Sequence, residues 1–187
     1  ILLFLFVLWA VLKRRNILLF ALSAVYPWLY AGWPLVLGLV FVNIFVSGIF
    51  SSPGRQAPWP KAFFLKIIAG ENLKTFLAAS GGLALGLVVN PYFPDNIWLT
   101  WMQVVKIGLM NYQGVISVGQ EWYPIGYGEL LGNMALPVIF FLAALGLFFH
   151  PLFKGVPAQG ANNLKMMREA LTLIIFSGIF LVLTVKS

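Results

Sequence analysis

The sequence predicts an all-α protein: a polytopic transmembrane helix bundle of about six spans, with an extracytoplasmic amphipathic helix and loop. Three observations carry this expectation. Of 187 residues, 61% are hydrophobic and 9% are charged, where an ordinary soluble domain carries about a quarter charged residues. Six apolar runs lack the polar–apolar alternation of membrane β-strands, and backbone in lipid must pair within its own segment, which leaves helix. The basic residues gather beside the ends of those runs rather than on one face.

The first run, Ile1 to Leu12, is apolar before any polar flank and is followed by Lys13-Arg14-Arg15. A signal peptide carries its basic residues ahead of its apolar core, so the run reads as a span cut short. Residues 1–187 then form a single transmembrane domain, a fragment of a longer chain. The second and third runs, Ile17 to Ala31 and Trp33 to Phe50, meet at Gly32, where Tyr26, Trp28, Tyr30 and Trp33 crowd a tight turn and Pro27 and Pro34 interrupt the helices. Two spans or one re-entrant hairpin both satisfy this pattern, and both return the flanking basic clusters to one side. The stretch Ser51 to Pro60 reads as a connection, and Lys61 to Lys74 as a short helix lying at the interface. The remaining runs are Thr75 to Asn90, Leu131 to Phe149 and Ala170 to Val185, with a second connection from His150 to Asn163. A bare crossing takes about 20 residues, so flanking polar residues must extend several of these runs. His150, before Pro151 at a span end, reads as a headgroup-level histidine.

Charge placement sets the orientation, because Lys and Arg near span ends stay cytoplasmic. With Lys13, Arg14 and Arg15 inside, strict alternation also places Arg55, Lys61, Lys66, Lys74, Lys154, Lys165 and Arg168 inside. Only Lys106 and Lys186 then fall outside, together with the acids Asp95, Glu121 and Glu129. The net charge of +7 is thus a topology signal and not a nucleic-acid face. The partner it implies is the lipid bilayer, with anionic headgroups attracted at about 1 kcal/mol per basic residue near the surface. There is no cysteine and one histidine, which excludes disulfide scaffolds, thiol catalysis and His-rich metal clusters. A divalent metal as cofactor stays open, with no ligand cluster visible.

The outer loop, residues 91–130, is several times longer than a usual connection, and Trp98, Trp101, Trp122, Tyr92, Tyr112, Tyr123 and Tyr127 make it too aromatic for a solvated chain. Its prolines, Pro91 and Pro94, predict an extended turn, after which Asp95 either caps a helix or serves a substrate. From Ile97 to Asn111 the polar residues Asn96, Thr100, Gln103 and Asn111 share a narrow arc, predicting an interfacial amphipathic helix. Lys106 on it either snorkels or meets a phosphate. Further on, Glu121 stands beside Trp122 and Tyr123: a carboxylate to accept sugar hydroxyls and ring faces to cover the apolar side of a pyranose. An aromatic belt at the membrane surface is the competing reading for these three. Glu129 suits the first turn of the next span.

The segment from Asn90-Pro91-Tyr92-Phe93-Pro94-Asp95-Asn96 through an amphipathic stretch to Glu121-Trp122-Tyr123-Pro124 resembles part of the polytopic glycosyltransferases of the C superfamily, relatives of protein O-mannosyltransferases and aminoarabinose transferases. The likeness covers about residues 83–137. It implies an enzyme that takes a sugar from a polyprenyl-phosphate donor at the extracytoplasmic face, with Glu121, Trp122 and Tyr123 serving the sugar and Lys106 the donor's phosphate, and with the acidic catalytic base of such enzymes in an earlier outer loop. A prokaryotic plasma membrane is the expected location. A transporter or flippase would place ionisable groups at mid-span, where this chain has Asn43, Ser47, Ser80 and Ser177 instead. A structural subunit that docks a partner through the aromatic loop is a third class.

Overall fold

The computed structural model describes residues 2–50, 70–110, 126, 128, 132, 135–153 and 161–185. Among these residues there is no strand. The helices are α1 (Leu2–Leu12), α2 (Asn16–Leu29), α3 (Pro34–Ile49), α4 (Glu71–Val89), α5 (Asp95–Thr100), α6 (Ala135–Phe153) and α7 (Ala161–Val185), and α5 runs on without a break into a π-helical segment, Trp101–Leu109. The chain divides into two compact units, residues 1–118 and 119–187.

In the first unit α2 and α4 pack in parallel, as side-chain contacts along their length show. Thr75 Oγ1 lies 3.0 Å from Asn16 Oδ1 at one end, Gly82 faces Phe20 and Ser23 at the middle, and Asn90 Nδ2 donates to the Pro27 carbonyl at 3.4 Å at the other. Two parallel neighbours require a helix returning between them, and α3 supplies it. The close fit of α2 and α4 depends on small residues. A Cβ placed on Gly86 would run into the Ala24 carbonyl oxygen, and one on Gly82 into the Phe20 carbonyl oxygen. Small residues at a helix contact let the two backbones approach this closely.

The corner between α1 and α2 is a Schellman closure. The Arg14 and Arg15 amides donate to the Val11 and Ala10 carbonyls, and Arg14 takes the left-handed position with φ 54°, where glycine is usual. That turn aims the Arg14 guanidinium inward, to Asn72 Oδ1 at 3.0 Å and Ser47 Oγ at 3.3 Å. The C-terminal ends of α1 and α3 and the N-terminal ends of α2 and α4 therefore meet in one basic, polar cluster. Glu71 in the first turn of α4 pairs there with Lys74 at 2.7 Å.

The opposite end is aromatic. Pro34 opens α3 at its first position, where its missing N–H costs nothing, and Pro27 lies in the last turns of α2 without ending it. The tryptophans flanking this corner reach across to α4 and α5: Trp28 Nε1 donates to the Gly86 carbonyl at 2.8 Å and Trp33 Nε1 to Thr100 Oγ1 at 3.0 Å.

In the second unit α6 and α7 form a helical pair in which Gly178 faces the Phe141 ring, leaving about 3.5 Å for a Cβ. Helix α6 continues through His150 and Pro151 to Phe153, and α7 begins at Ala161. The connection expected from His150 to Asn163 is thus shorter than read, because helical backbone carries the polar flanks of both apolar runs. The expected connection over 51–60, most of the interfacial helix over 61–74, and Glu129 lie outside the described residues. Of that interfacial helix, the described end belongs to α4, which starts at Glu71 rather than Thr75.

All six apolar runs contain helix. Among the described residues one helix, Glu71–Val89, is long and apolar enough to cross a membrane by length and composition, and Leu2–Leu12, Asn16–Leu29, Pro34–Ile49 and Val138–Phe149 are shorter apolar helices. The interior holds Val7, Val11, Leu19, Val36, Leu39, Val40 and Leu83, yet the outside is equally apolar: Ile17 is 90% exposed and Leu147 76%.

Candidate functional site

The segment after α4 is held against the bundle by its amides. Asn90 is buried; its Oδ1 accepts from the Tyr92 amide at 2.9 Å, and its carbonyl accepts from the Phe93 amide. This Asx-type turn replaces the extended one that the two prolines predict, since Asn90 supplies both acceptors locally. The Phe93–Pro94 peptide is cis.

Asp95 does not cap α5. Pro94 holds the N-cap position and no side chain bonds the first amides, so Asp95 is the first helical residue. An acid there is favoured by the helix dipole, and its carboxylate is left exposed. Of the polar arc predicted for this helix, Asn96 and Thr100 face inward, and Asn111 lies outside the described residues. Asn96 Nδ2 donates to the Leu87 carbonyl at 2.9 Å, and Thr100, buried, bonds the Asn96 carbonyl and the Trp33 indole. The apolar residues face out: Ile97, Trp98, Leu99 and Trp101 are 45–60% exposed. A water-facing amphipathic helix has the reverse arrangement.

Pro94, Asp95, Ile97, Trp98 and Trp101 line a depression of about 420 Å³. Asp95 and Trp98 are three apart and Trp98 and Trp101 again three apart, so one helix face carries all three. Lys106 joins them from the π-helical segment. Its Nζ stands 5.4 Å from the centroid of the Trp98 ring, because helical side chains lean toward the N-terminus. Its charge therefore rests on an indole.

Of the five residues the sequence singled out, Asp95 lines the depression with Trp98 and Lys106 rests against the Trp98 ring. Glu121, Trp122 and Tyr123 lie outside the described residues. Trp98 and Trp101 were read only as part of an apolar face; the i, i+3, i+6 spacing with Asp95 was the available signal. A carboxylate at the edge of an indole-lined depression can accept hydroxyl hydrogen bonds while ring faces cover apolar C–H groups, and an ammonium can meet a phosphate oxygen. Among the described residues no group of three or more His, Cys, Asp or Glu side chains is placed to hold a metal ion. No family model, no curated protein and no solved structure matches the chain.

Proposed function

We propose that this chain is part of a multi-pass integral-membrane glycosyltransferase, moving a sugar from a polyprenyl-phosphate donor to an acceptor at the extracytoplasmic face. The observation that carries the reading is the exposed Asp95 at the edge of an apolar depression lined by Trp98 and Trp101, at the end of the first unit opposite the basic cluster. The outward apolar faces favour about six membrane crossings, with polar and aromatic flanks extending the shorter helices toward the roughly 30 Å of a hydrocarbon core. Basic residues gathered at one end, and aromatics with Asp95 at the other, fit a cytoplasmic and an extracytoplasmic rim.

In this proposal Asp95 accepts hydroxyls of the sugar, Trp98 and Trp101 cover its apolar face, and Lys106 meets the donor phosphate. Glu121, Trp122 and Tyr123 offer a second set of the same chemistry. In the transfer, the deprotonated acceptor oxygen bonds the anomeric carbon as the bond from that carbon to the phosphate oxygen breaks. The leaving polyprenyl phosphate takes the electron pair, and a carboxylate takes the acceptor's proton.

The test is transfer by the full-length protein in membranes given polyprenyl-phosphate-linked sugars. Removing a charged acceptor from a sugar hydroxyl costs about tenfold or more, so Asp95→Asn lowers transfer by about that factor while membrane levels hold. Unchanged transfer removes the depression from the site.

A further inference from the structure

The Lys106 ammonium and the sugar-facing indole are not independent, since the cation rests over the Trp98 ring while Trp98 lines the depression that holds Asp95. We infer that Lys106 is the specificity-determining residue of this site: its ammonium rests against Trp98 beside the depression until a donor phosphate draws it away, so that a glycosyl phosphate is bound in preference to a neutral sugar. This rests on the glycosyltransferase reading and adds to it the residue that selects the phosphate ester.

Relative strengths decide the direction. A cation over an indole at an exposed site holds by a factor of about two to five, and Trp98 is 60% exposed. A charge-assisted hydrogen bond to phosphate holds by about ten or more. Phosphate therefore displaces the contact, whereas a neutral sugar has nothing to offer the ammonium. The flexible lysine stem lets the charge leave Trp98 without moving the backbone. Asp95, on the same helix face, stays behind as the hydroxyl acceptor and repels the phosphate, which keeps the two halves of a glycosyl phosphate from binding in reverse.

The experiment uses the whole chain in octaethylene glycol monododecyl ether micelles, which carry neither phosphate nor sugar, with farnesyl phosphate and farnesol as probes. The emission of Trp98 is taken as the difference from Trp98→Phe. Farnesyl phosphate changes that emission and farnesol does not. Lys106→Gln abolishes the phosphate preference and gives, without any probe, the emission of the phosphate-bound protein; Lys106→Arg, which keeps the charge, restores the preference. Equal responses to the two probes, silence to both, or a preference that survives Lys106→Gln each overturn the inference. These probes carry no sugar, so their failure falls on Lys106 alone, while the transfer assay of Asp95→Asn judges the sugar reading separately.

Discussion

Arg14 occupies a backbone position that chains usually give to glycine, and its side chain explains why. A left-handed conformation costs an L-residue about 1–2 kcal/mol, but it is the conformation that turns the guanidinium from the corner of α1 and α2 onto Asn72 and Ser47. Each such bond from a charged donor is worth about 1.5–3 kcal/mol, so the side chain more than offsets the backbone strain. Two substitutions separate these contributions. Arg14→Ala keeps the strain and loses the bonds; Arg14→Gly loses the bonds and the strain together. Thermal unfolding in detergent is expected to show both variants destabilised, with Gly the better by about 1 kcal/mol. Equal destabilisation would mean that the corner carries no strain. From sequence, Lys13-Arg14-Arg15 reads as three equivalent topology charges, and nothing in residue type separates the middle one, because its inward direction comes from a single φ angle.

At the scale of elements, the pairing of α2 with α4 turns on which glycines touch backbone. Gly81 would place a Cβ about 3.5 Å from the Phe20 ring, an ordinary contact, whereas Gly82 and Gly86 would drive one into carbonyl oxygens of α2. A ring edge can give way and a helical carbonyl cannot. Gly81→Ala is therefore expected to be neutral or to gain up to about 1 kcal/mol of helix propensity, and Gly82→Ala and Gly86→Ala to lose about 1–3 kcal/mol by overpacking. Unfolding in detergent micelles checks the reversal of sign between adjacent positions. If all three behave alike, the helices do not meet backbone to backbone along this stripe. The helices themselves were legible, since each of the six apolar runs exceeds what a loop can leave unpaired. Their ends were less so: α6 passes through His150 and Pro151, and α7 starts nine residues before Ala170, because polar flanks continue a helix once apolar residues have nucleated it. The amphipathic helix after Asn90 was foreseen and its facing was not. Spacing gives the width of a polar arc, while the partners that turn it inward, Leu87 and Trp33, lie on other elements.

The first unit as a whole has two chemically different ends. Arg14, Asn16, Ser47, Asn72 and Lys74 collect where α1 and α3 end and α2 and α4 begin; Trp28, Trp33, Asn90, Asn96 and Thr100 collect at the other. Between them the outward side chains are Phe6, Ile17, Phe41, Phe45, Leu77, Leu85 and Val88, all at least about two-fifths exposed. A contiguous apolar surface of this kind marks an interaction with lipid or another apolar partner. In the proposed multi-pass reading, alternation of the four helices puts the depression around Asp95 and the cluster around Arg14 in opposite compartments. The chain has no cysteine, so single cysteines report cleanly. Tyr92 is 75% exposed beside the depression, and Arg15 is exposed beside the basic cluster. In intact cells a membrane-impermeant maleimide is expected to label Tyr92→Cys, and to label Arg15→Cys only after permeabilisation. Labelling of both from outside would show that the bundle does not cross the bilayer. The reverse pattern would place the Asp95 carboxylate and its indoles in the cytosol, away from any donor presented at the outer face, and the positive charge at the α1–α2 corner would then need a cause other than topology.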